Sequence, residues 1–515
     1  MAALPTDAVV AVIGAGAMGA GIAQVASQAG HNVLLFDART GVSDRARASV
    51  GATLDGLAAK GRMTAESARA IAGRIVPVHA LADCAAARLV IEAIVEDLDA
   101  KRDLLRELDV IVDADAILAS NTSSLSITSL AAGSKHPSRV VGMHFFNPAP
   151  VLPLVEVVSG LATADGVSAT VHATALAWGK FPVHAASTPG FIVNRCARPF
   201  YGEALRLLTE RAADVPTIDA VMRDAGGFRM GPFELMDLVG HDVNFAVTKS
   251  VWSAYFHDPR YAPSVLQQDL IAAGFLGRKS GRGFYAYGAD AAKAVPLAEP
   301  DAPAPEAVRV CGDLGSAMPL VARLEASGMR VVRENSDPRF PYGALAVGDT
   351  RIALTDGRTA TVRGRDDNCP NLVLFDLALD YSRCTRLAMA RGDRCSDVSW
   401  REALGMLQAA GIAVARLDDV AGLAVMRIVV MLANEASDAV MQGIATATDI
   451  DLAMQKGVNY PCGPLVWADR IGPAHVQGVL THLAAHYGED RYRTSPRIAR
   501  VVAGGGALGL ADERA

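Results

Sequence analysis

No run of lysine or arginine interrupts the 515 residues, and the formal net charge is only -6. The chain therefore lacks the electrostatic footprint of a nucleic-acid binder. It also has no uninterrupted apolar run near the ~20 residues that span a bilayer. The apolar N-terminus carries no basic segment and runs straight into a glycine loop, so it reads as a core strand rather than a secretory signal. The seven cysteines, at 84, 196, 311, 369, 384, 395 and 462, are odd in number and nowhere spaced C-x-x-C. That argues against a disulfide framework or a zinc site, and no metal is expected. These absences leave a cytoplasmic protein without nucleic-acid or membrane partners.

What is present is ordinary globular material: 51% of residues are hydrophobic and 20% charged. The length exceeds what one hydrophobic core supports, so two to four domains are expected. Residues 8–13 (AVVAVI) form a continuous apolar run, as in a parallel strand buried on both faces. Gly14, Ala15, Gly16, Ala17, Met18 and Gly19 follow, then a helical pattern to Gln28 with Gly30 as its cap, and a second strand at 33–36 that ends at Asp37. Gly14 permits a tight turn, Gly16 lets the backbone approach a pyrophosphate, and Gly19 lets helix and strand pack closely. An acid closing the second strand accepts ribose hydroxyls and repels a 2′-phosphate, so NAD is favoured over NADP. Arg39, two residues on, leaves some NADP use open.

Three later segments, 91–97 (IEAIVED), 120–125 (SNTSSL) and 141–158 (VGMHFFNPAPVLPLVEVV), each read as a strand end entering a polar loop. Open α/β sheets place ligands at such ends. His144 sits between an apolar strand and Phe145, and Glu156 lies in a second apolar stretch where an unpaired carboxylate is costly. A histidine oriented by a buried carboxylate suits removal of a hydroxyl proton as hydride leaves. Ser123 and Asn194 are placed to hydrogen-bond the reacting oxygen. Singly, such a histidine is an ordinary core residue and SNTSSL an ordinary turn cluster; only the constellation points to chemistry. His31, His136, His184 and His241 have no comparable company.

These residues resemble the 3-hydroxyacyl-CoA dehydrogenase family of fatty-acid β-oxidation. The resemblance runs from residue 9 to about 288 through GAGAMG, EAIVED with Lys101, SNTSSL, MHFFNP with PLVEV, STPGFIVNR (187–195), GPFELMDLVG (231–240) and GRKSGRGFY (277–285). It implies His144 as base, Glu156 as its partner, and Ser123 and Asn194 on the substrate oxygen. It also implies cofactor contacts by Gly14, Gly16, Ala17, Met18, Gly19, Asp37, Glu96, Lys101 and Asn121, and a CoA-phosphate contact by Lys60. The implied reaction is NAD-dependent oxidation of an (S)-3-hydroxyacyl-CoA. The long form is similar to bacterial members that oxidise 3-hydroxyadipyl-CoA in phenylacetate breakdown, and to others that act on 3-hydroxybutyryl-CoA. Reduction of acetoacetyl-CoA, oxidation of a free hydroxy acid, and a non-enzymatic binding or structural role on the same fold are the competing readings.

Shifting the chain on itself by 232 residues aligns 190–240 with 422–472, and Gly190, Arg195, Glu203, Gly231 and Pro232 meet Gly422, Arg427, Glu435, Gly463 and Pro464. The helical segment is therefore duplicated. Asn194 falls opposite Met426, which offers a reacting oxygen no side-chain hydrogen bond. A fainter match at 298 sets Gly312 opposite Gly14, Leu314 opposite Gly16, Ala317 opposite Gly19 and Asn335 opposite Asp37. The expected architecture is an α/β Rossmann-type doubly wound NAD-binding domain (1–188) and an α-helical 6-phosphogluconate-dehydrogenase-like domain (189–290). A linker (291–306), a reduced, nucleotide-free Rossmann remnant (307–415) and a second helical domain (416–515) follow. No HFFNP counterpart is found in the second half, so it is not expected to catalyse. The surviving Arg427, Glu435 and Gly463-Pro464 suggest an internal pseudo-dimer, with a homodimer also open.

Overall fold

In the computed structural model, which describes residues 2–288, 291–292 and 294–509, the chain divides into two compact units. The expected boundary at 290 and the last residues of the fifth segment lie outside the described residues. The first unit joins residues 1–193 to 442–458, and the second joins 194–441 to 459–515.

The first unit is built on an eight-stranded sheet: β1 (Val10–Ile13), β2 (Val33–Phe36), β3 (Ile75–Val78), β4 (Leu89–Glu92), β5 (Ile117–Ser120), β6 (Val140–Phe145), β7 (Leu154–Ser159) and β8 (Phe181–Ala186). Their order is β3-β2-β1-β4-β5-β6-β7-β8, parallel except for the antiparallel pair β6–β7. β1, β4 and β5 are buried throughout, as strands covered by helices on both faces must be. The strand order reverses between β1 and β4, and the glycine loop opens there. The helix Ala447–Gly457, from the second half of the sequence, packs on β7 and β8, where Ala186 donates to the carbonyl of Ile444. The expected fifth segment is thus shared between the two units, because this helix covers the edge of the first sheet.

The second unit contains a seven-stranded sheet: β9 (Ala307–Cys311), β10 (Arg330–Glu334), β11 (Ala344–Val347), β12 (Thr350–Leu354), β13 (Leu372–Phe375), β14 (Arg386–Arg391) and β15 (Ala413–Arg416), in the order β10-β9-β11-β12-β13-β14-β15. β9 and β10 occupy the places that the offset of 298 assigns to β1 and β2. Beyond them the sheet departs from a parallel Rossmann pattern. β11 and β12 are joined by a two-residue turn, too short for a crossover helix, so they pair antiparallel. The segment expected as a linker has no helix or strand among its described residues, yet it is tied down: Glu299 donates to Val414, Ala302 to Gln408, and Trp400 to Glu299.

The two helical copies meet inside the second unit through reciprocal contacts. Arg195 donates to Glu435 at 2.5 Å, and Arg427, 232 residues after Arg195, donates to Glu203 at 2.9 Å. Tyr261 and Arg260 complete the Glu435 site, and Tyr492 and Arg491 complete the Glu203 site. This is the self-complementary pattern of a two-fold interface. The helix Val215–Asp224 packs on β14 just as its repeat, Ala447–Gly457, packs on the first sheet.

Candidate active site

The glycine loop sets out the cofactor end. Gly14 has φ +99°, and a Cβ there would lie 2.6 Å from the Ala93 carbonyl oxygen. A Cβ at Gly19, in the first turn of the helix Ala17–Gln28, would overlap the Gly14 carbonyl. Gly16 is exposed and faces open space. It lines a cleft of about 750 Å³ together with Gly14, Asp37, Arg39, Leu81 and Val95. Room above Gly16, with tight packing under its two neighbours, is what a dinucleotide needs. Asp37 follows β2, accepts from the Ala15 amide at 2.9 Å, and is bracketed by the Arg39 side chain at 3.1 and 3.3 Å. Burial pulls this carboxyl upward, but the Arg39 and backbone hydrogen bonds outweigh it and hold it below its ordinary value. Arg39 thus folds onto Asp37 and partly neutralises it.

At the ends of β4 and β5 lies a charged network. Lys101, 1% exposed, donates to both oxygens of Glu92 at 2.9 and 2.7 Å and stands 3.4 Å from Glu96. Ser120 also donates to Glu92. Glu96 accepts from Thr122 (2.7 Å), from the Ser123 amide (2.9 Å) and hydroxyl (3.3 Å), and from Ser124. Against the upward pull of burial, these donors and the Lys101 charge keep Glu96 ionised below its usual range. The Lys101 amine is enclosed by these carboxylates and positions Glu96. Glu92 was missed in the sequence. Its signal was an acid closing an apolar strand, which burial permits only with a cation nearby. Asn121 accepts from the Phe145 amide at 2.8 Å and so clamps the end of β5 against β6, beside His144.

His144 and Glu156 face each other across the antiparallel pair β6–β7. The imidazole Nδ1–H donates to Glu156 Oε2 at 2.6 Å. The other oxygen, Oε1, accepts from the amides of Ile192 and Val193, both at 3.0 Å. The carboxylate is fully buried and the ring is 6% exposed, packed by Phe146 and Phe191. Phe191 has φ 47° directly after Gly190 at φ 78°, a left-handed pair that turns the chain so that two consecutive amides meet one carboxylate. With Nδ1 committed to Glu156, Nε2 is the nitrogen left to take a proton. Asn194 comes next in the chain, as the first residue of the second unit. Ala17 and Met18 lie in the first helical turn after Gly16. Lys60 is exposed at the end of the helix Val42–Ala59, and no described hydrogen bond or ion pair joins it to the other site residues.

His241, which the sequence leaves outside the site, has a carboxylate partner, Asp237 at 2.8 Å, and that acid is also held by the amides of Phe284 and Tyr285, which makes the pair structural. The second half also keeps more of the first-half geometry than its sequence reveals. β13 and β14 pair in the register of β6 and β7 shifted by 232 residues, so Asp376 takes the place of His144 and Ala388 that of Glu156. Asp376 accepts from the amides of Ala424, Val425 and Met426. Burial raises it to about 6 in spite of these bonds. One carboxylate still holds the helix start, from the opposite strand, and no imidazole is left.

A glycine-loop dinucleotide fold with a carboxylate-oriented histidine beside it defines an NAD-dependent oxidoreductase acting on an alcohol or its ketone. The family model described as "3-hydroxyacyl-CoA dehydrogenase, NAD binding domain" matches residues 9–188, and that of the C-terminal domain matches 190–287 and again 422–512. A third, "3-hydroxybutyryl-CoA dehydrogenase reduced Rossmann-fold domain", matches 352–420. The chain belongs to the 3-hydroxyacyl-CoA dehydrogenase family. It is 43% identical to a 3-hydroxyadipyl-CoA dehydrogenase of Escherichia coli, over 94% of this chain and 95% of that one. It is 38% identical to the human mitochondrial hydroxyacyl-coenzyme A dehydrogenase, over 54% of this chain and 90% of that one. A crystal structure of an E. coli 3-hydroxybutyryl-CoA dehydrogenase superposes with a TM-score of 0.88 at 39% identity, covering 98% of this chain and 100% of that one. Among the described residues no helix is long and apolar enough to cross a membrane.

Proposed function

We propose that the chain oxidises the 3-hydroxyl of an (S)-3-hydroxyacyl-CoA, with His144 as the base and the second half as a non-catalytic partner. The observation that carries this reading is the 2.6 Å bond from His144 Nδ1 to a buried, otherwise satisfied Glu156. Nε2 removes the hydroxyl proton, and Glu156 stabilises the imidazolium that forms and fixes its tautomer. Ser123 and Asn194 hydrogen-bond the oxygen as it becomes a carbonyl. Bound NAD supplies the hydride acceptor. Gly14, Gly16, Ala17, Met18 and Gly19 hold its pyrophosphate, Asp37 its ribose, and Glu96, Lys101 and Asn121 keep the nicotinamide end in order. Lys60 is assigned the CoA phosphates. The likeness to the 3-hydroxyadipyl-CoA and 3-hydroxybutyryl-CoA enzymes supports a short acyl chain.

The five-segment division at 188, 290, 306 and 415 is kept as the organisation by ancestry, with an internal pseudo-dimer of helical copies. The reciprocal Arg195–Glu435 and Arg427–Glu203 pairs support it. Seven free, buried thiols fit a reducing cytoplasm. The test is NADH formation from (S)-3-hydroxybutyryl-CoA and (S)-3-hydroxyadipyl-CoA. Turnover of the thioesters but not of the free acids is expected, and no turnover of any 3-hydroxyacyl-CoA overturns the reading.

A further inference from the structure

Arg198, Tyr201, Leu205 and Thr209, spaced three and four residues apart, turn one face of the helix Arg198–Thr209 toward a cavity of about 360 Å³ in the second unit. Tyr261 and Pro263 add to its apolar lining. The other charges on that lining are matched: Arg206 by Glu489, Arg260 by Glu435 and Asp438, Arg491 by Glu203, and Glu210 by Arg427. Arg198 is 6% exposed and forms no ion pair among the described residues. Its Nε donates to the Asn194 carbonyl at 2.8 Å, and its Nη1 to Thr248 at 3.0 Å and the Asn244 carbonyl at 3.5 Å. Nη2 has no protein acceptor among the described residues, so it is the donor left for whatever occupies the cavity. Burial without a counter-charge pulls this arginine below its ordinary range. A buried cation normally has a carboxylate, and here the protein supplies none.

We infer that this cavity is a binding site for a small organic monocarboxylate, taken as the free anion rather than as a thioester, with its charged end on Arg198 Nη2 and its apolar body against Leu205, Tyr261 and Pro263. The charge decides the class. A single unmatched guanidinium calls for a single negative charge, whereas a phosphate group would bring about two near neutral pH and leave the second unmatched. The lining decides the rest: pockets of about 300–1,000 Å³ hold small molecules through apolar walls and a few fixed polar groups. Thr248 and the two carbonyls hold Nε and Nη1 in place before any ligand arrives, so little side-chain freedom is lost on binding.

The test is calorimetric titration of the full chain with hexanoate and with hexanamide, which has the same shape and no charge. The native protein is expected to bind hexanoate with a Kd of ~1 mM or tighter, and at least ~10-fold more tightly than hexanamide. Arg198→Met, which keeps the length of the side chain without its charge, is expected to erase that difference. Should Arg198→Met not fold, Ala262→Trp fills the cavity from an exposed position on its lining and leaves Arg198 in place; it is expected to melt normally and to lose hexanoate. No binding of hexanoate, equal binding of hexanamide, or hexanoate affinity that is unchanged in either folded variant overturns the inference. Inorganic phosphate binding as tightly as hexanoate, and lost with Arg198→Met, overturns the choice of a carboxylate.

Discussion

Asp376 occupies in the second strand pair the position that His144 occupies in the first, with Ala388 across from it where Glu156 would be. The helix that follows still needs an acceptor for its first amides, and Asp376 supplies it to residues 424–426 as Glu156 does to Ile192 and Val193. In the first copy one carboxylate thus serves two purposes, anchoring a helix and orienting an imidazole. In the second copy only the anchoring survives.

Asp376→Ala is expected to leave kcat unchanged while destabilising the protein by at least ~2 kcal/mol, since buried amides lose their acceptor. Thermal melting alongside initial rates checks this. A large loss of kcat in a well-folded variant would mean that the second half takes part in the chemistry.

Glu156→Gln retains an oxygen for the Ile192 and Val193 amides but presents an amide to His144 Nδ1. A fall in kcat of ~10²-fold or more, with a small change in melting temperature, is expected from loss of the tautomer lock. Glu156→Ala also removes the anchor, so it should melt markedly earlier. Circular dichroism melts of the two variants separate the purposes.

The reciprocal pairs predict stability. Glu203→Gln or Glu435→Gln leaves a buried arginine without its full counter-charge, and each is expected to cost ~3–5 kcal/mol. Arg491 and Arg427 overcome the burial of Glu203 and hold it down at about 2, against an ordinary 4.5. Its contribution is therefore complete above pH 4.5 and is lost as the pH falls from there through about 2. Denaturation followed across that range should show a steeper acid loss in the native protein than in Glu203→Gln.

Gly16→Ala is expected to fold normally and to weaken NAD binding about tenfold or more, because its methyl group enters the open space above the loop. Gly19→Ala would instead force the helix off the Gly14 carbonyl and lower stability as well. Fluorescence titration with NADH and a melting curve distinguish the two.

The glycine loop and the His144–Glu156 pair were legible in the sequence because each demands particular residues at fixed spacing. Gly14 and Gly19 have no room for a side chain, and a buried acid needs a donor. Glu92 was not legible: it looked like the end of an apolar strand, although it is the partner that makes a buried Lys101 affordable. At the offset of 232 the duplication could be read only from residue 190 onward, and at 298 only over the glycine loop and its flanking strands. Between HFFNPAP and its counterpart at 376–382 no identity survives, and strand register alone preserves the correspondence. The antiparallel β11 escaped because a two-residue turn carries no periodicity, and the exchange of the Val215–Asp224 and Ala447–Gly457 helices follows from packing rather than local pattern.

The account depends on the His144 ring taking the hydroxyl proton. Single-turnover NADH formation by His144→Gln from (S)-3-hydroxyadipyl-CoA or (S)-3-hydroxybutyryl-CoA, with NADH affinity and melting temperature measured in parallel, tests this most directly. The rate is predicted to fall by ~10² or more while the other two quantities stay near their native values. A variant that folds, binds NADH and turns over at the native rate would contradict it.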